Sequence, residues 1–163
     1  MSAPLPSTLP TVKAWLFTQL TAVLTASPGK TLDVLYGGSA PTNGDDVVTL
    51  RTGARRVFPH VPTGDMGAVA WRESYDLDIT VETYRPEGFQ SCEERAWALV
   101  ASIENTIRAT LWGIIGGGTA VATLGGNVFN LVIGDQAATS VWADTDDGPV
   151  TTITYPLTLH ATI

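Results

Sequence analysis

The sequence predicts an α+β fold: a mixed or antiparallel sheet packed against two main helices, with a long irregular loop or an extended hairpin arm. Three observations carry that expectation. Apolar and polar side chains alternate from Tyr75 to Tyr84, and two segments, one before and one after, repeat apolar residues at spacings of three and four. At 163 residues, with 44% hydrophobic and 15% charged, the chain is expected to form a single domain over 1–163 with a real core.

Taken in order, residues 1–10 hold Pro4, Pro6 and Pro10 and read as an extended N-terminal arm. Val12, Trp15, Leu16, Leu20, Val23 and Leu24 then form one apolar stripe, which predicts a helix over about 11–26, stopped by Ser27-Pro28-Gly29. Short strands are expected at Thr31–Tyr36 and Val47–Leu50, separated by a turn-rich loop. From residue 51 to 70, Gly53, Pro59, Pro62, Gly64 and Gly67 break every regular period. This stretch reads as a long loop, or as a hairpin arm that pairs only on assembly.

The alternating strand follows. Tyr75, Leu77, Ile79, Val81 and Thr83 point one way over about 33 Å. Asp76, Asp78 and Glu82 point the other way with no neutralising base between them. After the Pro86-Glu87-Gly88 turn, Ser91 and Glu94 fit a capping box, and Ala96, Trp97, Val100, Ile103, Ile107 and Leu111 give the second helix its stripe. Arg95 and Arg108 are expected on that helix's other side. Strands are expected at Ala120–Leu124 and Val128–Ile133 around Gly125-Gly126-Asn127. Val141-Trp142 precedes an acidic turn with Asp144, Asp146 and Asp147, and a last strand runs from Val150 to Ile163. Pro156 within it predicts an edge position or a bulge.

Charge sorts along the chain. The net charge of −7 argues against general binding to nucleic-acid phosphates. Every Lys and Arg lies at or before Arg108, and Arg51, Arg55 and Arg56 cluster beside Phe58 and His60 in a stretch without acids. Such a patch is a solvated loop or a surface that meets an acidic neighbour.

The sequence holds no recognisable catalytic constellation. His60 and His160 read as solvent-facing, and Cys92 as a buried or idle thiol that can form no internal disulfide. No CxxC pair or HExxH is present, and the Asp144–Asp147 run lacks the downstream glutamate of a calcium loop. Gly116-Gly117-Gly118 has no following Lys-Ser/Thr to cradle phosphate. No signal peptide or membrane span is expected. The chain therefore reads as no enzyme, with no metal and no cofactor.

Layout and length together resemble the tail terminator proteins of long-tailed, siphovirus-like bacteriophages. The resemblance rests on the Thr11-Val12-Lys13-Ala14-Trp15-Leu16 helix, the Tyr75-Asp76-Leu77-Asp78-Ile79-Thr80-Val81 strand, the Glu93-Glu94-Arg95-Ala96-Trp97 helix start and the Ile153–Leu159 strand. It covers nearly the whole chain but is one of layout more than of invariant motifs. It implies a structural protein of the virion tail or neck, assembled in the host cytoplasm as a ring, usually hexameric. Such a ring caps the head-proximal end of the tail tube, stops tube polymerisation and joins the tail to the head connector. Implied partners are other copies of the chain, the tail-tube protein and the connector or stopper, with DNA passing through the lumen unbound. Asp76, Asp78 and Glu82, or Asp144, Asp146 and Asp147, are then candidates for an acidic lumen or subunit-facing surface. Arg51, Arg55, Arg56, Phe58 and His60 are candidates for an assembly arm. The alternatives are a head-completion, stopper or other neck protein, and further off a small hydrolase or ligand-binding domain.

Overall fold

The computed structural model describes residues 7–38, 44–60, 70–111, 130–133 and 138–162. Two helices, α1 (Leu9–Val23) and α2 (Phe89–Leu111), lie with six strands: β1 (Leu32–Leu35), β2 (Asp46–His60), β3 (Ala70–Tyr84), β4 (Asn130–Ile133), β5 (Thr139–Thr145) and β6 (Gly148–Thr162). The sheet runs β1-β2-β3-β6-β4, with β5 also on β6. Among the described strands only β1 and β2 pair in parallel; the others pair antiparallel. This is the mixed-sheet α+β fold that the alternation and the two helical stripes predict.

The core lies between one face of the sheet and both helices. Tyr75, Leu77, Ile79 and Val81 of β3 and Ile153, Leu157 and Leu159 of β6 face Val12, Leu16 and Leu20 of α1 and Ile103 and Ile107 of α2. Fully burying each of these large apolar side chains contributes about 1.5–3 kcal/mol. The fourfold spacing of Val12, Leu16 and Leu20 is what lays α1 flat on the sheet.

Of the two forms expected for 51–70, a long loop or an extended hairpin arm, the pairing at its ends agrees with the second. Residues 51–60 continue β2 and pair with β3 out to His60 opposite Ala70, so the chain forms an extended hairpin. The register shifts between Thr52 and Arg55. Gly53 stands within this bulge, and a Cβ there would lie 3.1 Å from that of Asp76. The bulge resets which residues face inward, and that hides the strand from a simple alternation. Residues 61–69 lie outside the described residues, as do residues 1–6 of the N-terminal arm and the expected strand and turn over 120–127.

Other expectations shift at the ends of elements. Helix α1 stops at Val23, with Leu24 extended. Helix α2 begins at Phe89, so Ser91 sits inside the first turn and forms no capping box; Gly88 precedes the helix and accepts the Cys92 amide at 3.2 Å. Glu94 instead takes a hydrogen bond from Gln90 at 2.7 Å. Leu99 replaces Trp97 in the buried stripe, and Trp97 is 40% exposed. Its row along the helix continues to Glu104 and Arg108, which favour water.

Pro156 is neither at a sheet edge nor in a bulge of the β3 ladder, where it stands opposite Asp78. On the other side of β6, β5 pairs as far as Thr154 and β4 starts at Leu157. The proline occupies the gap between them, where a missing amide donor interrupts neither partner.

Candidate assembly surfaces

The second face of the sheet is polar and carries no helix among the described residues. Cross-strand register puts Thr49, Thr80, Thr154 and Thr139 in one row across four strands. Asp76, Asp78 and Glu82 stand on the same face, as the alternation predicts, each half-buried. Asp76 accepts a hydrogen bond from Thr158 at 3.0 Å. Partial burial pushes the Asp78 carboxyl above its usual range, and the Asp76 charge adds to this, while Arg51 across the strand opposes it.

Asp144, Asp146 and Asp147 stand elsewhere. Asp144 lies near the end of β5 opposite Pro149, and Asp146 and Asp147 form the turn into β6. The turn is ten residues along β6 from Thr158, the partner of Asp76, or about 33 Å. Glu82 is nearer, since its partner Thr152 lies four residues along β6 from the turn. The first group thus spans the open sheet face, and the second sits at a corner.

The candidate arm is the outer half of the β2–β3 hairpin. After the bulge, Arg56 and Phe58 lie on the open-face side with Ser74 and Arg72, and Arg51 lies on that face before it. Arg55 turns to the helix side, where its Nε donates to Glu73 at 2.8 Å. His60 ends the strand opposite Ala70. β1 pairs with β2 only from Asp46 to Thr49, so the edge of β2 beyond Thr49 is unpaired among the described residues.

Glu73 roots the arm. Its carboxylate is fully buried and accepts hydrogen bonds from the Thr8 amide and hydroxyl, both at 2.5 Å, and from the Ser7 hydroxyl at 2.8 Å. Burial alone would raise its pKa, but the combined bonds from Thr8, Arg55 and Ser7 hold it below the usual carboxylate value. Beside it, burial pushes the Tyr75 phenol up to about 12. The start of α1 is therefore tied to β3 by a strand carboxylate.

A second buried cluster holds the opposite end. Asp46 is fully buried and meets Arg85 at 2.8 Å and Arg95 at 2.8 Å. Arg95 also donates to the Thr25 carbonyl at 2.6 Å, and Arg85 to the Tyr84 carbonyl at 2.5 Å. Arg95 thus turns inward instead of flanking the far side of α2, and this cluster joins the α1 exit, β2, β3 and α2. Sequence reasoning missed Glu73 and Asp46. The available signal was parity: Glu73 shares the inward phase of Tyr75 and Leu77, and Asp46 that of Val48 and Leu50. Cys92 is buried too, and its thiol is raised by burial and donates to the Pro149 carbonyl at 3.1 Å. That thiol is packed, not poised for attack.

At the β5 corner, Trp142 is 68% exposed and stacks edge-on against Phe89 of α2, with ring centroids 4.9 Å apart. Phe89, Glu93, Ser140, Trp142 and Thr151 line a cleft of about 280 Å³ there. Among the described residues no group of three or more His, Cys, Asp or Glu side chains could hold a metal ion. No described helix is long and apolar enough to cross a membrane.

No protein-family model matches the chain. No curated protein matches it either. Among solved structures, the fold is similar to a chain in the virion of a native gene transfer agent particle. That likeness has a TM-score of 0.50 at 15% identity and covers 93% of this chain and 94% of the other. At that identity the shared property is the fold, over nearly the whole of both chains.

Proposed function

We propose that the chain is a virion structural protein that works as a tail terminator: a ring that caps the head-proximal end of a tail tube. The observation that carries this reading is the end-to-end likeness of its fold to a chain of a gene transfer agent virion. The surfaces suit such a role. A sheet-and-helix body carries a long exposed hairpin, a polar sheet face without a helix among the described residues and an exposed aromatic corner, features that suit contact surfaces.

The mechanism is geometric. Identical copies close a ring, one rim copies the contacts of a tube subunit, and the other refuses a further tube ring while receiving the head connector. The Asp76, Asp78 and Glu82 face is our candidate for the lumen, because a carboxylate-lined channel lets DNA phosphates pass without adhering. The same likeness in fold also admits a stopper or head-completion role in the neck. Adding the protein to polymerising tail-tube subunits separates the two. A terminator shortens and caps the tubes, as seen by electron microscopy, whereas tube lengths unchanged at saturating protein would rule this role out.

A further inference from the structure

The sheet ends in two unlike surfaces at diagonally opposite corners. One is the open-face side of the hairpin arm, where Arg51, Arg56 and Phe58 line up on an unpaired strand edge. Phe58 is 40% exposed there, and residues 47–60 of β2 contain no acid, although Asp78 of β3 stands opposite Arg51 on the same face. The other is the β5 corner, where Trp142 and Asp144 lie on the helix side of the strand beside Phe89 and Glu93 of α2. No Lys or Arg follows Arg108 in the chain, so the only charges on β5 and its turn are the carboxylates Asp144, Asp146 and Asp147.

We propose that the Arg51–Arg56–Phe58 stripe of one copy docks on the Phe89–Trp142 corner of a second copy of this chain. Phe58 enters the cleft of about 280 Å³, and Arg56, two residues away on the same side of the strand, meets Glu93 at its rim, while Arg51 lies about 20 Å along β2 and adds attraction at longer range. This rests on the ring reading above and names the contact that builds the ring. Charge selects the second copy as occupant: basic arm and acidic corner are complementary and belong to the same chain. The contact joins two different surfaces, so it is head-to-tail. An open series leaves one arm and one corner unused, at its two ends, until it closes on itself. An exposed aromatic anchor ringed by charge is also the usual make-up of an interface centre and rim.

The test uses two full-length variants, Arg51→Glu/Arg56→Glu and Glu93→Lys/Asp144→Lys, with sedimentation velocity and native mass spectrometry. Each alone should remain monomeric where the wild type forms rings, since arm and corner then carry like charge. An equimolar mixture should recover rings, in which the two variants alternate and every contact is again complementary. That recovery also shows that both variants are folded. Phe58→Ala should raise the concentration needed for rings by roughly tenfold or more with an unchanged melting temperature. If the wild type forms rings and the single variants do so equally well, or the mixture fails to recover them while both melt normally, this contact is wrong and the ring reading stands. A wild type that stays monomeric at every concentration overturns both.

Discussion

Glu73 carries a charge on the side of β3 that otherwise holds Tyr75, Leu77 and Ile79, and it is tolerated there because Thr8, Ser7 and Arg55 satisfy it. Glu73→Gln keeps the shape and removes the charge. Hydrogen bonds to a charged group are worth about 1.5–3 kcal/mol, so this variant should lose about 2 kcal/mol at neutral pH. The pH dependence follows from the lowered carboxyl. Its folded pKa lies below the usual 4.5, so its stabilisation is complete above that value and disappears as the pH falls through the folded pKa. Thermal melts from pH 7 to pH 2 should show the wild type converging on Glu73→Gln at the acid end. Asp78 has the opposite sign. Burial and Asp76 raise its carboxyl, so its ionised form opposes folding, and that cost fades as the pH falls through the raised value. Asp78→Asn should therefore melt higher than the wild type at pH 7 and equal to it near pH 2. A lower melting temperature at pH 7 would mean that the Arg51 contact outweighs the burial.

At the scale of elements, the β5–β6 hairpin turns on Gly148. Its φ of +123° is one that side chains rarely adopt, and an added Cβ would come within 3.0 Å of the Tyr84 ring. That ring is itself fixed by the bond from its hydroxyl to the Asp147 carbonyl. Gly148→Ala should destabilise the fold by about 1–3 kcal/mol, read as a lower urea midpoint with an unchanged slope. The elements differ in how openly the sequence shows them. β3 and β6 alternate apolar and polar residues along the sequence, so residues 75–84 and 153–161 are legible directly, although Thr80 on the polar face is buried as well. β2 is not, because the bulge at Gly53 changes phase and the inward residues beyond it are Arg55, Val57 and Pro59 rather than an apolar row. The acidic face was legible for the same reason as β3. The corner was not, since Trp142 meets Phe89 only through the register of β5 on β6, and Ser91 suggested a cap that Gly88 supplies.

For the whole molecule, a net charge of −7 on each copy sets a limit on how any ring is held. Copies repel one another over distances longer than the contact, while the proposed arm and corner attract across a few ångströms. Salt separates these two effects by range. Raising ionic strength from 0.01 to 0.15 M shortens the screening length from about 30 to about 8 Å, which removes mostly the long-range repulsion. Raising it further to 1 M brings the length to about 3 Å and weakens the close arginine–carboxylate pairs as well. Ring stability should consequently rise, pass through a maximum near about 0.15 M, and fall again, as followed by sedimentation equilibrium across that range. Phe58→Ala should lower this curve at every salt concentration without moving its maximum, because an apolar anchor is not screened. Arg51→Glu/Arg56→Glu should stay monomeric at low and moderate salt, and any association it gains should only rise with salt, since only repulsion is then left to screen. A wild-type curve that climbs steadily to 1 M would mean that apolar contacts alone join the copies, and that the sorting of charge along the chain serves another surface.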